Sequence, residues 1–244
     1  ICGSDQVWNI TCGDADDYYF LSFAQKGTKI AYAVSLGAVS IERNTNDISK
    51  YIKYINEFDY LSVRENKAKE RIGKLTNKKI EILLDPTLLY TASYWDKFVS
   101  ESVDKREYIL YYAFSFPKEV NDVVQNISKR LNLPVLMIDA KSWAFKGLFF
   151  KGFKLTDTYG PISFLNVIKN AKLVLTTSFH GTVFSVLYEK KFWNLKSSMN
   201  NSEDDRAITL LDQVNLSNRM ISIHEILERD LLEEIDFEKT NKNL

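Results

Sequence analysis

Short apolar runs alternate with segments of helical periodicity along most of this 244-residue chain. Between residues 47 and 58 the apolar side chains recur at i, i+3, i+4 and i+7, which predicts an amphipathic helix. Apolar runs such as 29–35 are too short for a helix and end at small or polar residues. This order is typical of parallel sheets, because parallel strands need a crossover between them. The sequence therefore predicts an α/β fold.

The same pattern places the individual elements. It predicts strands at 29–35, 60–63, 79–84, 108–114, 134–138, 172–177 and 191–195. It predicts helices at 47–58, 65–75, 117–131, 162–170, 182–189, 206–214 and 223–234. The alternation pauses between 86 and 106, which favours a domain boundary there. We expect two α/β domains, 1–95 and 96–222, followed by a helix and a polar tail at 223–244.

Composition excludes several classes of protein. Thirty-two Lys and Arg balance 32 Asp and Glu, so an electrostatic nucleic-acid binder is not expected. Two cysteines are too few for a disulfide scaffold or a Cys-based zinc site, which favours a reducing cytoplasm. No Gly-x-Gly-x-x-Gly or Walker loop occurs, which leaves a dinucleotide or P-loop site without support. Asp14-Ala15-Asp16 is interpreted as a solvated turn, and no metal site is predicted.

Small, polar and ionisable residues follow the predicted strands of the first domain. In open parallel sheets, ligands bind beyond the carboxyl ends of the strands, so these residues are candidate ligand contacts. Arg64 is the one Arg of eight that directly follows an apolar strand, and a salt bridge to Glu65 or Glu70 is the alternative. The candidates are Ser4, Asp5, Gln6, Ser35, Gly37, Arg64 and Asp85.

The strongest local signal joins the strand at 172–177 to the next helix. A helix N-terminus attracts anions, Ser178 suits the cap, and Gly181 lets backbone approach a ligand closely. His180 titrates near neutrality and suits general acid or base work. The alternative is a simple cap with His180 bonded to a neighbouring carbonyl. We also expect Thr182 to contact ligand.

Two further segments carry weaker signals. Arg206 follows the acidic run 203–205, where local pairing is the alternative to a substrate contact. The stretch 143–153 alternates aromatic rings with Lys146 and Lys151. Stacking on sugars or binding of an anionic group is possible for such a stretch, but packing within a loop is favoured.

Several of these segments, taken in order, resemble the polysaccharide pyruvyl transferase family over nearly the whole chain, from residue 1 to about 219. The segments are ICGSDQVWN at 1–9, LSVRE at 61–65, LDPTLL at 84–89, Gly160-Pro161 ahead of a helix, and TSFHGT at 177–182 followed by Phe184-Ser185.

The resemblance implies a GT-B-like fold, with two Rossmann-like domains facing across a cleft. It implies a cytoplasmic, bacterial transferase that moves the pyruvyl group of phosphoenolpyruvate onto hydroxyls of a sugar, forming a pyruvate ketal of a cell-surface glycan. No tightly bound cofactor is expected. His180 matches the family's motif His and is expected to act as general acid, with Asp5 or Asp85 on the sugar side. Arg64 would hold the carboxylate or phosphate.

The match to the family is incomplete. Members begin with a strand and a glycine-containing loop ahead of the Gly-Ser-Asp-Gln segment, so we expect the first domain to lack its N-terminal strands. Thr177 stands where relatives often carry Asp. A nucleotide-sugar glycosyltransferase, with Glu203 or Asp205 on the donor ribose, is the alternative, followed by a non-catalytic glycan-binding protein. Peripheral contact with membrane-linked glycan intermediates is a further expectation; the oligomeric state is left open.

Overall fold

The computed structural model describes residues 1–99, 106–157, 159–196 and 203–241, and it confirms the α/β fold. The chain forms two compact units. The first comprises residues 1–89 with the described part of 201–210, and the second comprises the described parts of 90–200 and 211–244. The first unit thus ends six residues before the expected boundary at 95 and takes in a segment that we placed in the second domain. The arrangement of two domains across a cleft stays a prediction.

The first unit is built on three parallel strands in the order β1-β2-β3. Cys2 and Asp5 form parallel bridges to Ala31 and Val34, so the first residues lie along the open side of β1. The strands are β1 (Ile30–Val34), β2 (Tyr60–Val63) and β3 (Ile80–Ile82), and the helices are α1 (Ile41–Asn44), α2 (Ile48–Asn56) and α3 (Asn66–Gly73).

A bulge interrupts β1 at Ala33, which has a positive φ of 47°. The hydroxyl of Ser62 in β2 accepts from the Ala33 amide at 2.9 Å and donates to the Ala31 carbonyl at 2.8 Å. The buried backbone groups that the bulge takes out of the ladder therefore keep partners.

The second unit contains six parallel strands in the order β6-β5-β4-β7-β8-β9. The strands are β4 (Ile109–Tyr112), β5 (Val135–Met137), β6 (Lys154–Leu155), β7 (Leu173–Thr176), β8 (Phe192–Lys196) and β9 (Met220–Ser222). Counted within the unit, this order is 3-2-1-4-5-6, the dinucleotide-fold order, and its direction reverses between β4 and β7.

The remaining helices are α4 (Ala92–Trp95), α5 (Lys118–Leu131), α6 (Ala140–Phe145), α7 (Pro161–Asn170), α8 (Phe179–Leu187), α9 (Arg206–Gln213) and α10 (Phe237–Asn241). Helix α8 begins three residues before the predicted start at 182, because Ser178 caps it. Among the described residues, no helix combines the length and the apolar character needed to cross a membrane.

The prediction of a helix at 223–234 was wrong. In its place the chain forms a short 3-10 helix, Ile226–Glu228, after strand β9. Ile223, Ile226 and Leu231 have helical spacing, but they bury themselves in the core of the second sheet without a continuous helix. The side chain of Arg130 donates to the carbonyls of residues 227 and 229, which fills acceptors that a helix would use internally.

Candidate functional site

The carboxyl ends of the first sheet come together at one edge. Backbone hydrogen bonds continue the ladder past the strands: Ser35 N donates to Asp5 O at 2.9 Å, and Arg64 N donates to Val34 O at 3.1 Å. The chain at residue 2 runs parallel to β1, and β1, β2 and β3 run parallel to one another. The residues that follow these segments therefore lie on the same side of the sheet. The structure therefore brings Asp5, Ser35, Arg64 and Asp85 close to one another.

Arg64 lies at the centre of this group. Its guanidinium donates to Asp85 Oδ2 at 2.7 Å and to Asp5 Oδ1 at 3.2 Å, and Ser4 Oγ donates to the same Asp85 oxygen at 3.0 Å. The Arg64 and Asp85 side chains are almost completely buried, whereas the side chain of Asp5 is 60% exposed. A ligand that reaches Arg64 from solvent therefore competes with Asp5, not with Asp85.

The surroundings of Asp85 favour its charged form. Burial alone would raise the pKa of Asp85, but hydrogen bonds from Thr87 and the charge of Arg64 outweigh it and hold the pKa below the usual range. Asp85 Oδ1 accepts from Thr87 Oγ1 at 2.7 Å and from Thr87 N at 3.0 Å. A carboxylate with these partners is a poor proton acceptor. The geometry favours a positioning role for Asp85 over the catalytic role expected from the sequence.

Glu65 is a member of this group that the sequence reasoning treated only as a salt-bridge partner. Its Oε1 accepts from Ser35 Oγ at 2.8 Å and from Leu36 N at 2.9 Å, and its Oε2 lies 4.0 Å from Arg64 Nε. The side chain is fully buried, and burial raises the pKa of Glu65 to about 7. The sequence did carry a signal for Glu65, because it is an acid that lies directly between a strand-end Arg and a predicted helix.

Gly37 and Gln6 meet in the loop after β1. Gly37 has a φ of +58°, and a Cβ on it would lie 2.1 Å from Gln6 Oε1. Its amide donates to Ser35 Oγ at 2.9 Å. Gln6 in turn accepts from Asn9 Nδ2 at 3.1 Å. This close turn accounts for Gly37, and ligand contacts by Gln6, Ser35 and Gly37 stay predictions.

Arg206 pairs locally with Asp204, which is the alternative to a substrate contact that the acidic run indicated. Its Nε and a terminal nitrogen donate to the two oxygens of Asp204 at 2.8 and 2.6 Å. Burial alone would lower the pKa of Arg206, but Asp204, and beyond it Glu65 and Asp5, hold the pKa above its ordinary value. Arg206 thus lies within electrostatic range of the Arg64 group.

Glu203 and Asp205, the acids that the glycosyltransferase alternative would use, contact helix α3. Asp205 Oδ2 accepts from the amide of Lys67 at 2.9 Å, and Glu203 pairs with Arg71 at 2.7 Å. Both residues therefore bind the segment around 203–210 to the first unit. This contact explains why the described part of 201–210 belongs with residues 1–89.

Carboxyl groups outnumber guanidinium groups in this region, which we call the Arg64 cluster. An excess of acids suits hydrogen bonds to hydroxyl groups and disfavours an anion that does not displace one of them. The cluster therefore fits a sugar better than a second anionic ligand. Its ionisable members are Asp5, Arg64, Glu65, Asp85, Asp204 and Arg206.

The second candidate group lies where the strand order of the second sheet reverses. Strand β7 pairs with β4, and Ser178 follows β7 directly as the cap of helix α8. Ser178 Oγ accepts from Gly181 N at 3.4 Å. His180 is half-buried in the first turn of the helix. Ligands of such sheets bind at this reversal, beyond the carboxyl ends of the strands. We call this group the His180 cluster.

Gly181 and Thr182 are accounted for by packing. A Cβ on Gly181 would lie 2.2 Å from Thr176 Oγ1 and 3.0 Å from Tyr112 Cδ1, so only glycine lets α8 approach the sheet this closely. The Thr182 amide donates to Ser178 O at 3.1 Å, and its hydroxyl accepts from Asn194 Nδ2 at 2.7 Å. The amides of both residues thus donate to Ser178, and ligand contacts by Ser178, Gly181 and Thr182 stay predictions.

Two residues at the same edge were missed. Burial raises the pKa of Tyr112, at the end of β4, and the charge of Asp139 raises it further. Asp139 follows β5 and caps α6, accepting from Ser142 N at 3.0 Å and Ser142 Oγ at 2.7 Å. Tyr112 and Asp139 therefore lie near each other. The strand-end rule would have found Asp139, which follows the strand predicted at 134–138, whereas Tyr112 lies inside the strand predicted at 108–114.

The weaker sequence signals have structural explanations. Asp16 caps a 3-10 helix, Asp17–Phe20, by accepting from Tyr18 N at 2.8 Å. In the part of the chain that the structure describes, no three His, Cys, Asp or Glu residues are grouped as metal ligands would be. His224, the second histidine, is exposed in a turn.

Comparison with known proteins matches residues 1–198 to the family model described as polysaccharide pyruvyl transferase. None of the curated protein sequences compared matches the chain. Among solved structures, UDP-GlcNAc 2-epimerase from Methanocaldococcus jannaschii is 15% identical with a TM-score of 0.48, over 87% of this chain and 62% of that one. The epimerase from Neisseria meningitidis bound to UDP-GlcNAc is 8% identical with a TM-score of 0.47, over 86% of this chain and 67% of that one. The chain spans about three fifths of the length of the M. jannaschii enzyme.

Proposed function

The chain belongs to the polysaccharide pyruvyl transferase family, and from this premise we propose that it transfers the pyruvyl group of phosphoenolpyruvate. The proposed acceptor is a pair of hydroxyls on a sugar of a polysaccharide or of its lipid-linked precursor. The products are a pyruvate ketal and inorganic phosphate. The match to the family model over residues 1–198 carries this proposal.

His180 is proposed as the general acid. Ketal formation begins when the methylene carbon of phosphoenolpyruvate takes up a proton and the neighbouring carbon acquires oxocarbenium character. A first sugar hydroxyl then adds to that carbon, and phosphate leaves as the second hydroxyl adds. The position of His180 in the first turn of α8, at the reversal of the second sheet, supports this role. Ser178 is proposed to contact the phosphate beside it.

The Arg64 cluster is proposed to activate the sugar. Asp5 is the exposed carboxylate of the cluster and would accept the proton of the attacking hydroxyl. Arg64, which donates to Asp5 at 3.2 Å, is proposed to orient Asp5 and to contact the sugar beside it. Asp85 keeps Arg64 in place, and Arg206 adds positive charge nearby.

The test separates this function from its alternatives. The purified protein is heated with phosphoenolpyruvate or with UDP-sugars, because a ligand that binds the folded state raises the melting temperature. Phosphate release is then measured with phosphoenolpyruvate and candidate glycans. We expect stabilisation by phosphoenolpyruvate and release that depends on the glycan. Stabilisation by UDP-sugars alone would favour the glycosyltransferase, and stabilisation by phosphoenolpyruvate without release would favour a non-catalytic protein.

A further inference from the structure

Three aromatic rings project from the segment that joins α6 to strand β6. Phe145 and Phe150 are 84% and 85% exposed, and Phe149 lies against Phe150 with 4.1 Å between ring centroids. Exposed phenylalanines this close together in the sequence are unusual on a folded chain and mark interaction surfaces. We call these three rings, together with Lys141 and Lys146, the aromatic patch.

The backbone beneath the patch is firmly held. Leu148 and Phe153 are buried in the core of the second unit, and Trp143 Nε1 donates to Phe153 O at 2.8 Å. Gly147 and Gly152 have φ values of +60° and +80° and bracket the 3-10 helix Leu148–Lys151. The rings are therefore presented on an ordered segment, and docking them costs little conformational entropy.

The segment that carries the rings has several positive charges and no acidic residue of its own. Residues 140–156 include four Lys and no Asp or Glu. Lys141 and Phe145 are four residues apart on α6 and so lie on the same helix face, with Lys146 next in the chain. The charge of Lys151 is balanced by Asp122. Burial alone would raise the pKa of Asp139, the residue before α6, but hydrogen bonds and the charge of Lys141 lower it. Lys141, Lys146 and Lys154 are the exposed lysines of this segment, and Lys146 Nζ also donates to Phe116 O at 3.3 Å.

We infer that the aromatic patch docks on an anionic phospholipid surface. Exposed rings enter the boundary between headgroups and acyl chains, and flanking lysines bind the lipid phosphates. Binding sites for single sugars are concave, whereas rings exposed by more than four fifths stand out from the surface. The inference does not depend on pyruvyl transfer. It provides a surface for the membrane contact expected from the sequence.

The test is co-sedimentation of the full chain with vesicles of phosphatidylcholine alone or mixed with phosphatidylglycerol. We expect binding to the mixed vesicles, and binding that weakens as salt is added. We expect the double variant Phe145→Ser with Phe150→Ser to weaken binding to the mixed vesicles about tenfold. The double variant Lys141→Gln with Lys146→Gln should weaken this binding by a similar factor. The matched controls are Phe23→Ser with Tyr60→Ser, and Lys69→Gln with Lys74→Gln, which change exposed residues elsewhere and should leave binding as it is.

Three results would overturn the inference. The first is absence of binding to the mixed vesicles, or equal binding to both kinds. The second is wild-type binding by both patch variants while their melting temperatures show that they are folded. The third is a wild-type dimer in sedimentation velocity that Phe145→Ser with Phe150→Ser converts to a monomer, which would assign the patch to a second copy of the chain.

Discussion

Arg64 and Asp85 form a buried ion pair in which the guanidinium donates to Asp85 Oδ2 at 2.7 Å. The two residues are 21 positions apart and follow neighbouring parallel strands. Both charges are withdrawn from water, so each is costly without the other. The pair orients Arg64 so that its other terminal nitrogen, Nη2, donates to the exposed carboxylate of Asp5 at 3.2 Å.

Asp85→Ala should destabilise the fold by about 3–5 kcal/mol, because it leaves the guanidinium of Arg64 buried without its main counter-ion. Urea denaturation measures the loss. Asp17→Ala is the matched control, since Asp17 pairs with Lys50 at the surface and its loss should cost about 1 kcal/mol or less. Equal losses of stability in the two variants would show that the buried Arg64–Asp85 pair contributes no more to the free energy of unfolding than a surface pair.

Glu65 should make stability depend on pH. Its pKa is about 7 in the folded chain against an ordinary value of 4.5, so between these values the folded state binds more protons than the unfolded state. Stability should therefore fall as the pH rises from about 4.5 to 7, by about 3 kcal/mol from this group at ~1.4 kcal/mol per pKa unit. Denaturant titrations across this range measure the fall.

Glu65→Gln should remove this part of the pH dependence, because the amide does not titrate. Glu70→Gln, at an exposed position of helix α3, which Glu65 directly precedes, should keep the wild-type dependence. A Glu65→Gln protein with the wild-type slope would mean that another group titrates in this range.

Gly181→Ala should destabilise the second unit by about 1–3 kcal/mol, because the added methyl group overlaps Thr176 and pushes α8 from the sheet. Gly73→Ala is the control: a Cβ there meets open space at the end of α3, and the change should be neutral or stabilising by up to about 1 kcal/mol. Thermal unfolding of both variants compares them. A Gly181→Ala protein as stable as wild type would contradict the close packing.

His180→Ala should abolish pyruvyl transfer, with a loss of at least about 100-fold, while the melting temperature stays close to that of wild type. The rate of phosphate release with phosphoenolpyruvate and the acceptor measures it. His224→Ala removes the other histidine, which is exposed in a turn, and should retain full activity. Near-normal turnover by His180→Ala would show that this histidine is not the proton donor.

Much of the fold was predictable because periodicity is a local property. The apolar run at 60–63 is strand β2, and the strand expected at 172–177 is β7 with its ends trimmed. The segment 223–234 shows the limit of that reasoning. Ile223 and Ile226 have helical spacing, yet both are buried in the second sheet's core, and Arg130 binds carbonyls of the segment from outside. Spacing alone does not distinguish these outcomes.

By itself, the sequence determined the α/β class, the parallel strands and the placing of Arg64 and His180 directly after strands, since each follows from residue type and order. Tertiary structure alone decided which neighbours those residues have. Burial of Glu65 beside Arg64 raises the pKa of its carboxyl group, and the approach of α8 to Thr176 requires glycine at 181. The strength of both effects depends on distances and burial that residue order does not contain.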